Sequence, residues 1–525
     1  MRRRCAMTVL TVAPRLTVSV DGQPLSPAAA RAVGDAVVRQ RLSHPSVCQL
    51  QFFDLAAPLP LALGAELRIG IEGRNSPLFD GDITALRHRY APDRGRVLEV
   101  EAQDRLHRLA KRQPVRTHLQ QTLPDLARTL VADLGLQVRA ATDGPVWRQW
   151  IQYRQSDLLL LQQVAERCGF YFTARGNELV LLTLEGDGAA VELRLGAELL
   201  EAEAVVDSAF ACSSVETQGW NPWRAETQPG SAAAPRSGRQ TAATVVPDAV
   251  GGDGVHNIAA VAVQDSAQAE ALAQAELDRS HAAQVVLTGV ASGNPAMQPG
   301  IPVRVQGLDE TVNGRHVLTA AVHRFDRLRG YLTEFDTAPP APLPPVGGTQ
   351  VAYGEVTRVD DPDRLGRVRV ALPCHAGVES DWLEVLLPAA GAGKGLIALP
   401  DVGDRVLLLL VDGDPAQALV LGGVFGPTEP PDQAGVAGTA VRRFHFMTPG
   451  GQLLCLDDDA RSVRLESRGG NFLQLSPDRI HAENGDGSYL ELTAQRVRLY
   501  ATRDLAIESD RAIVIRGQSI DFERA

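Results

Sequence analysis

The chain has 525 residues, too many for one hydrophobic core, and its length indicates three or four domains. Its net charge of −11 argues against nucleic acid as a partner, and its 48 glycines and 33 prolines indicate many turns and therefore much β-structure. Six scattered cysteines without a CxxC pair favour reduced thiols in a protein made in the cytoplasm.

The N-terminal stretch MRRRCAMTVLTVAPRL has basic residues but only a broken apolar run. We therefore predict no signal peptide, with Met7 as an alternative start. No segment approaches 18 uninterrupted apolar residues, so we predict no membrane span.

The front of the chain predicts strands separated by turns. Residues 1–116 contain strand-like segments such as RLTVSVDGQPL, VCQLQFFDL and RVLEVEAQDRL, with DGQP and IEGRNSP as turns. We interpret this part as a first β-barrel. Residues 117–200 predict a helical α+β lobe, in which Thr122 and Ser156 each cap a helix and Gly169 ends the second.

The middle of the chain predicts a second β-barrel over 201–338, with one polar, alanine-rich helix from Asp265 or Ser266 to Ala283. Its tract 221–260 is rich in Ala, Gly and Pro, which favours a mobile loop. Residues 339–350 form a Pro-rich linker.

Short strands and turns fill the next segment, Tyr353–Phe425. EVTRV, RVRVALP, WLEVLLP, GLIALP and RVLLLLVDGD follow one another without a helix signal, and DDPDRLG and DGDP are turns. About five strands in such a short segment predict a small closed barrel of the oligonucleotide-binding (OB) type, over 351–428.

Apolar pairs recur every seven to ten residues in the last segment, 444–525. The pairs are Val463/Leu465, Leu473/Leu475, Ile480/Ala482, Leu490/Leu492, Val497/Leu499, Leu505/Ile507, Ile513/Ile515 and Ile520/Phe522. So short a repeat cannot bury its apolar edge alone. Two architectures can bury it: a single-chain parallel β-helix, or three chains wound around one axis as a β-prism. The eight short repeats favour the trimer.

The central motifs resemble the OB domain of contractile-injection spike proteins, a family that includes phage tail spikes, type VI secretion VgrG proteins and extracellular relatives. The matching residues are Asp361, Pro362, Leu365, Gly366, Arg367, Val368, Trp382, Pro388, Gly391, Pro400, Val402, Gly403, Asp404, Gly413, Asp414, Pro415 and Gly422. The front resembles the hub portion of the same spikes, including phage late control D proteins, through QDRLHRLAKRQPVRT, QSDLLLLQQVAERCGFYF, GWNP at Gly219–Pro222, PGIPVRVQG and NGRHVLTAAVHRFD.

The resemblance implies a mainly β fold: two hub barrels with a helical lobe, a central OB barrel and a C-terminal intertwined needle. It implies a structural homotrimer, most like the spikes of extracellular phage-tail-like injection systems. Six similar barrels would match a sixfold tail tube, and the needle would pierce a target envelope when the sheath contracts. Implied partners are the inner tube and baseplate proteins, a PAAR-type tip protein below the chain's end at DFERA, and effector cargo; a target membrane would be met only by mechanical puncture.

Motifs for chemistry are mostly absent, so we expect no enzyme, no cofactor and no metal site. GAGKG at 391–395 fails as a phosphate loop, because Pro388 stands where the first Gly is needed and Gly395 where Ser/Thr is needed. The acidic clusters at 360–363 and 456–460 are typical of turns, and Cys374-His375 has no evident acidic partner.

The alternative function is a carbohydrate-active or receptor-binding tail spike with a β-helix. A lysozyme domain, as in some phage spikes, has no room between Phe425 and Phe446. A plain OB-type ligand-binding protein would leave the repeats of the last segment unexplained.

Overall fold

The structure is a computed structural model, and it describes residues 15–53, 59, 61–74, 77–91, 95–221, 226–326, 329–344, 348–427 and 429–523. The N-terminal stretch with Met7, Pro222 of GWNP, residues 345–347 of the linker and Thr428 lie outside the described residues. The predicted mainly β fold is confirmed. The chain divides into two compact units, Met1–Gly423 and Val424–Ala525. Among the described helices, none is long and apolar enough to cross a membrane.

The first part of the chain is built from seven strands and two short helices. They are β1 Leu16–Val20, β2 Gln23–Pro24, α1 Pro27–Ala32, β3 Val33–Arg41, β4 Val47–Phe53, β5 Glu66–Ile71, β6 Phe79–Ala91, β7 Gly95–Gln103 and α2 His107–Ala110. Alternate residues of β3 and β4 are buried, which is the two-residue period expected of half-buried strands.

The helical lobe follows the prediction closely. It contains β8 Arg116–Gln121, α3 Leu123–Val131, β9 Gln137–Ala140, β10 Trp147–Gln152, α4 Asp157–Arg167, β11 Tyr171–Arg175 and β12 Glu178–Leu182. Thr122 caps α3 in a capping box with Asp125, and Ser156 caps α4 by accepting from Leu159 N. Both predicted caps are confirmed, because the hydroxyl of each residue satisfies a backbone N–H of the first helical turn.

The next part contains eleven strands and a long helix. They are β13 Val191–Arg194, β14 Leu199–Val206, β15 Ser214–Asn221, β16 Glu226–Ala232, β17 Gln240–Thr241, β18 Val255–Ala262, α5 Ser266–Ala283, β19 Val285–Ser292, β20 Pro302–Gln306, β21 Gly314–Val317, β22 Ala320–Asp326 and β23 Gly330–Asp336. The predicted helix is confirmed, with Asp265 as its cap.

One continuous sheet joins the two regions in which we predicted separate barrels. Its eleven strands run in the order β14-β19-β23-β22-β3-β4-β7-β6-β5-β1-β2. The junction is the antiparallel pair of β22 and β3. Phe325 and Tyr331 stack with ring centroids 4.0 Å apart and belong to the core of the first region. Through these two residues the core of the first region extends into β22 and β23.

The tract 221–260, which we predicted as a mobile loop, forms strands at both ends of its described residues. Both β16 and β18 pair with β15, and β16 packs on α5. A Cβ on Gly230 would lie 2.3 Å from the carbonyl carbon of Ala269 in α5, so the glycine permits this close approach. Small residues that suggested a loop therefore serve close packing.

The OB region forms a five-stranded sheet in the order β26-β25-β24-β27-β28. Its strands are β24 Gln350–Arg358, β25 Arg369–Leu372, β26 Val378–Glu379, β27 Arg405–Leu410 and β28 Ala418–Gly423. The predicted strand GLIALP is wrong, and WLEVLLP makes only single bridges at Leu383 and Val385. No described strand reaches GLIALP, and Leu396 and Ile397 remain exposed.

The second unit is mainly a meander of antiparallel strands. It contains β29 Val436–Ala437, β30 Ala440–Val441, β31 Arg443–Met447, β32 Leu453–Asp457, β33 Ser462–Glu466, β34 Phe472–Leu475, β35 Arg479–Glu483, β36 Tyr489–Thr493 and β37 Val497–Tyr500. β31–β37 form a seven-stranded sheet in sequence order.

This meander corrects one expectation. A single-chain parallel β-helix is contradicted, because every neighbouring pair in β31–β37 is antiparallel. The strands from 443 to 500 pair with one another within the chain. Their connections are short enough for hairpins, which favour antiparallel neighbours. The predicted apolar pairs at 505–522 form no strand within the described chain.

The packing of β16 on α5 requires a small residue at position 230, and this requirement can be tested. We expect Gly230→Ala to lower the free energy of unfolding by about 1–3 kcal/mol, because the added methyl group meets the backbone of α5. Gly252→Ala is the matched control, since its nearest atom would be 3.5 Å away. Chemical denaturation measures both; an equal, small effect for the two variants would contradict the packing of β16 on α5.

Acid sensitivity follows from His323 in β22, which is fully buried with Nδ1 3.0 Å from the Tyr331 hydroxyl. Burial lowers its pKa from 6.5 to about 4. As the pH falls, the unfolded chain therefore binds the proton before the folded chain does. The stability that neutral His323 contributes is present above pH 6.5 and is lost as the pH falls towards 4. We expect wild-type stability to lose up to about 3 kcal/mol across this window through His323.

The His323→Gln variant should show a shallower dependence of unfolding free energy on pH than wild type. The partly exposed His256→Gln serves as control and should keep the wild-type slope. Identical slopes for all three proteins would rule out His323 as the titrating group.

Candidate assembly surfaces

The tail sheet, β31–β37, separates apolar from polar residues across its two faces. Strand pairing aligns two apolar rows on one face. The first row is Phe444, Leu456, Val463, Leu475, Ile480, Leu492 and Val497. The second is Phe446, Leu454, Leu465, Leu473, Ala482, Leu490 and Leu499. This surface is named the apolar tail face.

The opposite face of the same sheet has a polar central row, flanked by a mixed row that includes Met447, Phe472 and Tyr489, and its side chains contact one another. Its central row is His445, Cys455, Arg464, Gln474, His481, Glu491 and Arg498. The Arg464 guanidinium lies 3.9 Å from the Phe472 ring centroid and donates to Gln474 Oε1. His481 Nε2 donates to Glu483 Oε2 at 2.9 Å. These contacts suit a face exposed to water.

No second layer of the described unit covers the apolar tail face. Leu465 is 56% exposed and Val497 69%, and the face includes a hollow of about 530 Å³. Farther along the chain Ile507 and Phe522 are exposed as well. An apolar face of this extent is unstable in water unless another surface buries it. The tail sheet is therefore a candidate assembly surface.

The long sheet of the first unit presents two free strand edges. β14 pairs on one side only, with β19, and β6 beyond Ile83 pairs only with β7 among the described strands. Free edges offer unpaired N–H and C=O groups to another strand.

These two edges carry opposite charge. The outer part of β6 exposes Arg87, His88 and Arg89, whereas β14 exposes Glu201 and Glu203. Arg87 and Arg89 also pair with Glu99 of β7. The two edges are named the basic edge, Arg87–Arg89, and the acidic edge, Glu201–Glu203.

Direct contacts tie the OB region to the helical lobe within the first unit. Arg148 of β10 forms an ion pair with Asp381, which is only 7% exposed. Gln149 accepts from Asp381 N at 3.0 Å and donates to Glu379 O at 3.1 Å. The Tyr153 hydroxyl donates to Gly413 O. Because the Asp381 carboxylate is buried, displacing Arg148 would leave it without its charge partner, so these contacts fix the OB region on the lobe.

The Pro-rich linker also contacts the lobe. Leu343 N donates to both carboxylate oxygens of Glu166 in α4, at 3.1 and 3.2 Å. This contact anchors the described part of the linker upstream of residue 345.

The predicted turn DDPDRLG is organised by one buried ion pair. Arg367 donates to both oxygens of Asp361 at 2.7 and 3.0 Å, and Asp361 also accepts from Leu365 N. The Arg367 guanidinium holds the pKa of Asp361 well below its usual range. Gly366 adopts the positive φ expected of it, +73°. The family motif therefore encodes a turn, with Asp361 already occupied by protein donors.

The residues considered for chemistry do not meet in one place. Gly391 and Lys394 pair with each other in a tight turn, Cys374 is exposed, and His375 packs edge-on against Tyr153. Within the described ranges, no three His, Cys, Asp or Glu side chains are grouped to hold a metal ion. Sequence motifs did not reveal these surfaces, because the surfaces depend on pairing register and burial. Only the apolar repeat indicated one of them, the apolar tail face.

Family models match two parts of the chain. One is the type VI secretion system/phage-baseplate injector OB domain, over residues 352–425. The other is the Alg8 N-terminal domain, over residues 60–326, just over half of the 525 residues.

Curated relatives match this chain over only part of their own length. The spike protein VgrG4b of Pseudomonas aeruginosa is 34% identical over 25% of this chain and 16% of its own. The spike protein VgrG2a of the same organism is 27% identical over 30% and 22%. The actin cross-linking toxin VgrG1 of Vibrio cholerae is 24% identical over 62% and 33%. The chain thus matches at most a third of the length of these relatives.

Solved structures share the fold at low identity. The c3393 protein of E. coli, a type VI secretion component described as similar to the T4 tail proteins gp27 and gp5, has a TM-score of 0.52 at 17% identity. The match covers 78% of this chain and 99% of that one. The Francisella PdpA-VgrG complex gives 0.52 at 8% identity, covering 93% and 80%. The chain belongs to the family of the Alg8 N-terminal domain, and it is a VgrG-like spike protein of the type VI secretion and phage-baseplate kind.

Proposed function

We propose that this protein is the homotrimeric spike and central hub of a contractile injection particle. The observation that carries the proposal is the exposed apolar tail face on a sheet one layer thick. Three copies of such a sheet can close into a prism with their apolar faces inward and their polar faces in water. The tail then gains its core only on assembly.

The two free strand edges support a closed ring formed by the first units of three copies. In a cyclic trimer each copy meets its neighbours head to tail, so two different edges must fit one another. The basic edge Arg87–Arg89 and the acidic edge Glu201–Glu203 have the required opposite charges. Pairing between them would continue the eleven-stranded sheet from copy to copy. Two sheet regions per copy would give the ring six similar parts, which suits a sixfold tube.

The contacts at Asp381 and Tyr153 support a mechanical role. If the front ring caps the tube and the tail points away from it, force from sheath contraction must pass through the OB region. Arg148, Gln149 and Tyr153 hold that region against the lobe and resist shear between the two. The tail then pierces the target envelope.

The proposed partners are the inner tube and baseplate proteins at the front, a PAAR-type tip protein at the tail, and effector cargo. A solved relative forms a complex named for PdpA and VgrG, which is consistent with a large associated protein in such spikes. We place the protein in the cytoplasm during synthesis and then in the particle. The activity named for the Vibrio toxin belongs to a protein of which this chain matches one third. We propose no enzymatic role here.

Leu473→Asp tests the apolar tail face. We expect the variant to lose the trimer, because a carboxylate would have to be buried among three copies of the second apolar row. Gln474→Asp, one residue along on the polar face, is the matched control and should remain trimeric. Sedimentation equilibrium gives the mass of each; a trimeric Leu473→Asp protein as stable as the control would contradict burial of this face.

The front ring is tested by reversing the acidic edge. In the double variant Glu201→Arg and Glu203→Arg, repulsion from the basic edge should make dissociation by urea easier than in wild type. Glu310→Arg, on an exposed loop, changes charge elsewhere and should behave as wild type. Mass photometry across a urea series measures the midpoint. Equal midpoints for the double variant and the control would exclude this edge from the ring.

A further inference from the structure

A small, partly open cavity lies beside β21 and the end of α5, within the first unit. Its volume is about 20 Å³ and its polar lining is Ser237, Arg239, His316, Thr319 and Thr337. A space of this size holds a single water-sized species. The cavity is therefore a site for one small ligand and no more.

Arg239 brings a positive charge to this cavity without an acidic partner among the described residues. Its guanidinium contacts His281 Nε2 at 2.9 Å, His281 O at 3.2 Å and Thr241 Oγ1 at 3.3 Å, all neutral groups. Its Nε has no hydrogen-bond partner in the described structure. Burial lowers the pKa of Arg239, as expected for a cation without a counter-charge.

Three other partly or fully buried arginines of the first unit are neutralised by aspartate. Arg236 pairs with Asp278 at 2.9 Å, Arg175 with Asp187 at 2.7 Å and Arg367 with Asp361 at 2.7 Å. Arg315, next to the cavity, instead donates to Gly238 O and Glu185 O. The neighbourhood of Arg239 thus carries two guanidinium groups whose hydrogen bonds go to neutral acceptors.

His316, which also lines the cavity, has a buried ring nitrogen without a partner in the described structure. It is 1% exposed, and its Nε2 lies 2.9 Å from Val312 O, to which it donates. Its Nδ1 is left without a partner in the described structure. A buried ring nitrogen without a partner costs free energy unless a ligand or water satisfies it.

We propose that this cavity binds one small inorganic anion of halide size, held by Arg239 and by His316 protonated at Nδ1. The anion would supply the missing counter-charge, and the proton would turn Nδ1 from an acceptor into a donor facing it. The charged and titratable groups around the site are Arg239, Arg315, His281 and His316. Burial and the nearby Arg239 hold the pKa of both histidines below the usual range. An anion would offset Arg239, so anion uptake and proton uptake favour one another.

The competing occupant is a neutral water that accepts from Arg239 Nε and donates to His316 Nδ1. The two occupants differ in their response to halide and to pH. Bound water gives no halide-specific stabilisation, whereas an anion bound with a proton stabilises the fold more at acid pH than at alkaline pH.

The test compares the Tm of the full-length protein in sodium chloride and in sodium gluconate at equal ionic strength. At a pH of about 5.5 chloride should raise the Tm by about 2 °C or more relative to gluconate, and at a pH of about 8 the difference should shrink. Arg239→Gln should abolish the difference, whereas the exposed Arg304→Gln should retain it. The absence of a chloride-specific shift in wild type, or its persistence in Arg239→Gln, would overturn the proposal.

A crystal of the wild-type protein in sodium bromide at the acid pH gives a direct readout that needs no variant. An anomalous peak next to Arg239 and His316 would support the anion. A cavity holding only water in these crystals would overturn it, whatever the folding of Arg239→Gln.

Discussion

The structure depends on one constraint: a β-sheet with an apolar face cannot remain one layer thick in water. The tail sheet from Arg443 to Tyr500 satisfies its backbone hydrogen bonds within the chain, yet Leu465 and Val497 remain largely exposed. On the opposite face, Arg464 already packs over Phe472. Backbone pairing is therefore met within one chain, whereas burial of the apolar side chains is not. In the trimer that we propose, assembly gives this tail its core.

The first unit differs from the tail sheet because it has its own buried cores. Phe325 and Tyr331 join two sheet regions, and the Arg148–Asp381 pair fixes the OB region on the lobe. In the spike that we propose, these contacts would carry load from the front of this unit to its OB region. The basic and acidic edges then add a directional fit, since a basic edge meets an acidic edge more favourably than a copy of itself.

Local patterns predicted much of this fold, because caps and turns depend on neighbouring residues. Thr122, Ser156 and Asp265 cap their helices, and Gly366 takes the positive φ of its turn. Predictions failed where long-range packing decides. Gly230 belongs to a tract that resembles a loop, yet it packs on α5. GLIALP resembles a strand, but none of the described strands pairs with it. The apolar repeat predicted the tail surface, but only pairing register could reveal its two rows. The charge of the free edges depends on sheet order, which the sequence does not encode locally.

The most direct test of the account is the solution mass of the full-length chain by light scattering. A trimeric spike has a mass of three times 56.2 kDa, or about 169 kDa. A dimer would show that two tail sheets cover each other face to face, and a stable monomer would show that the face needs no second copy. Either result would contradict a trimeric spike.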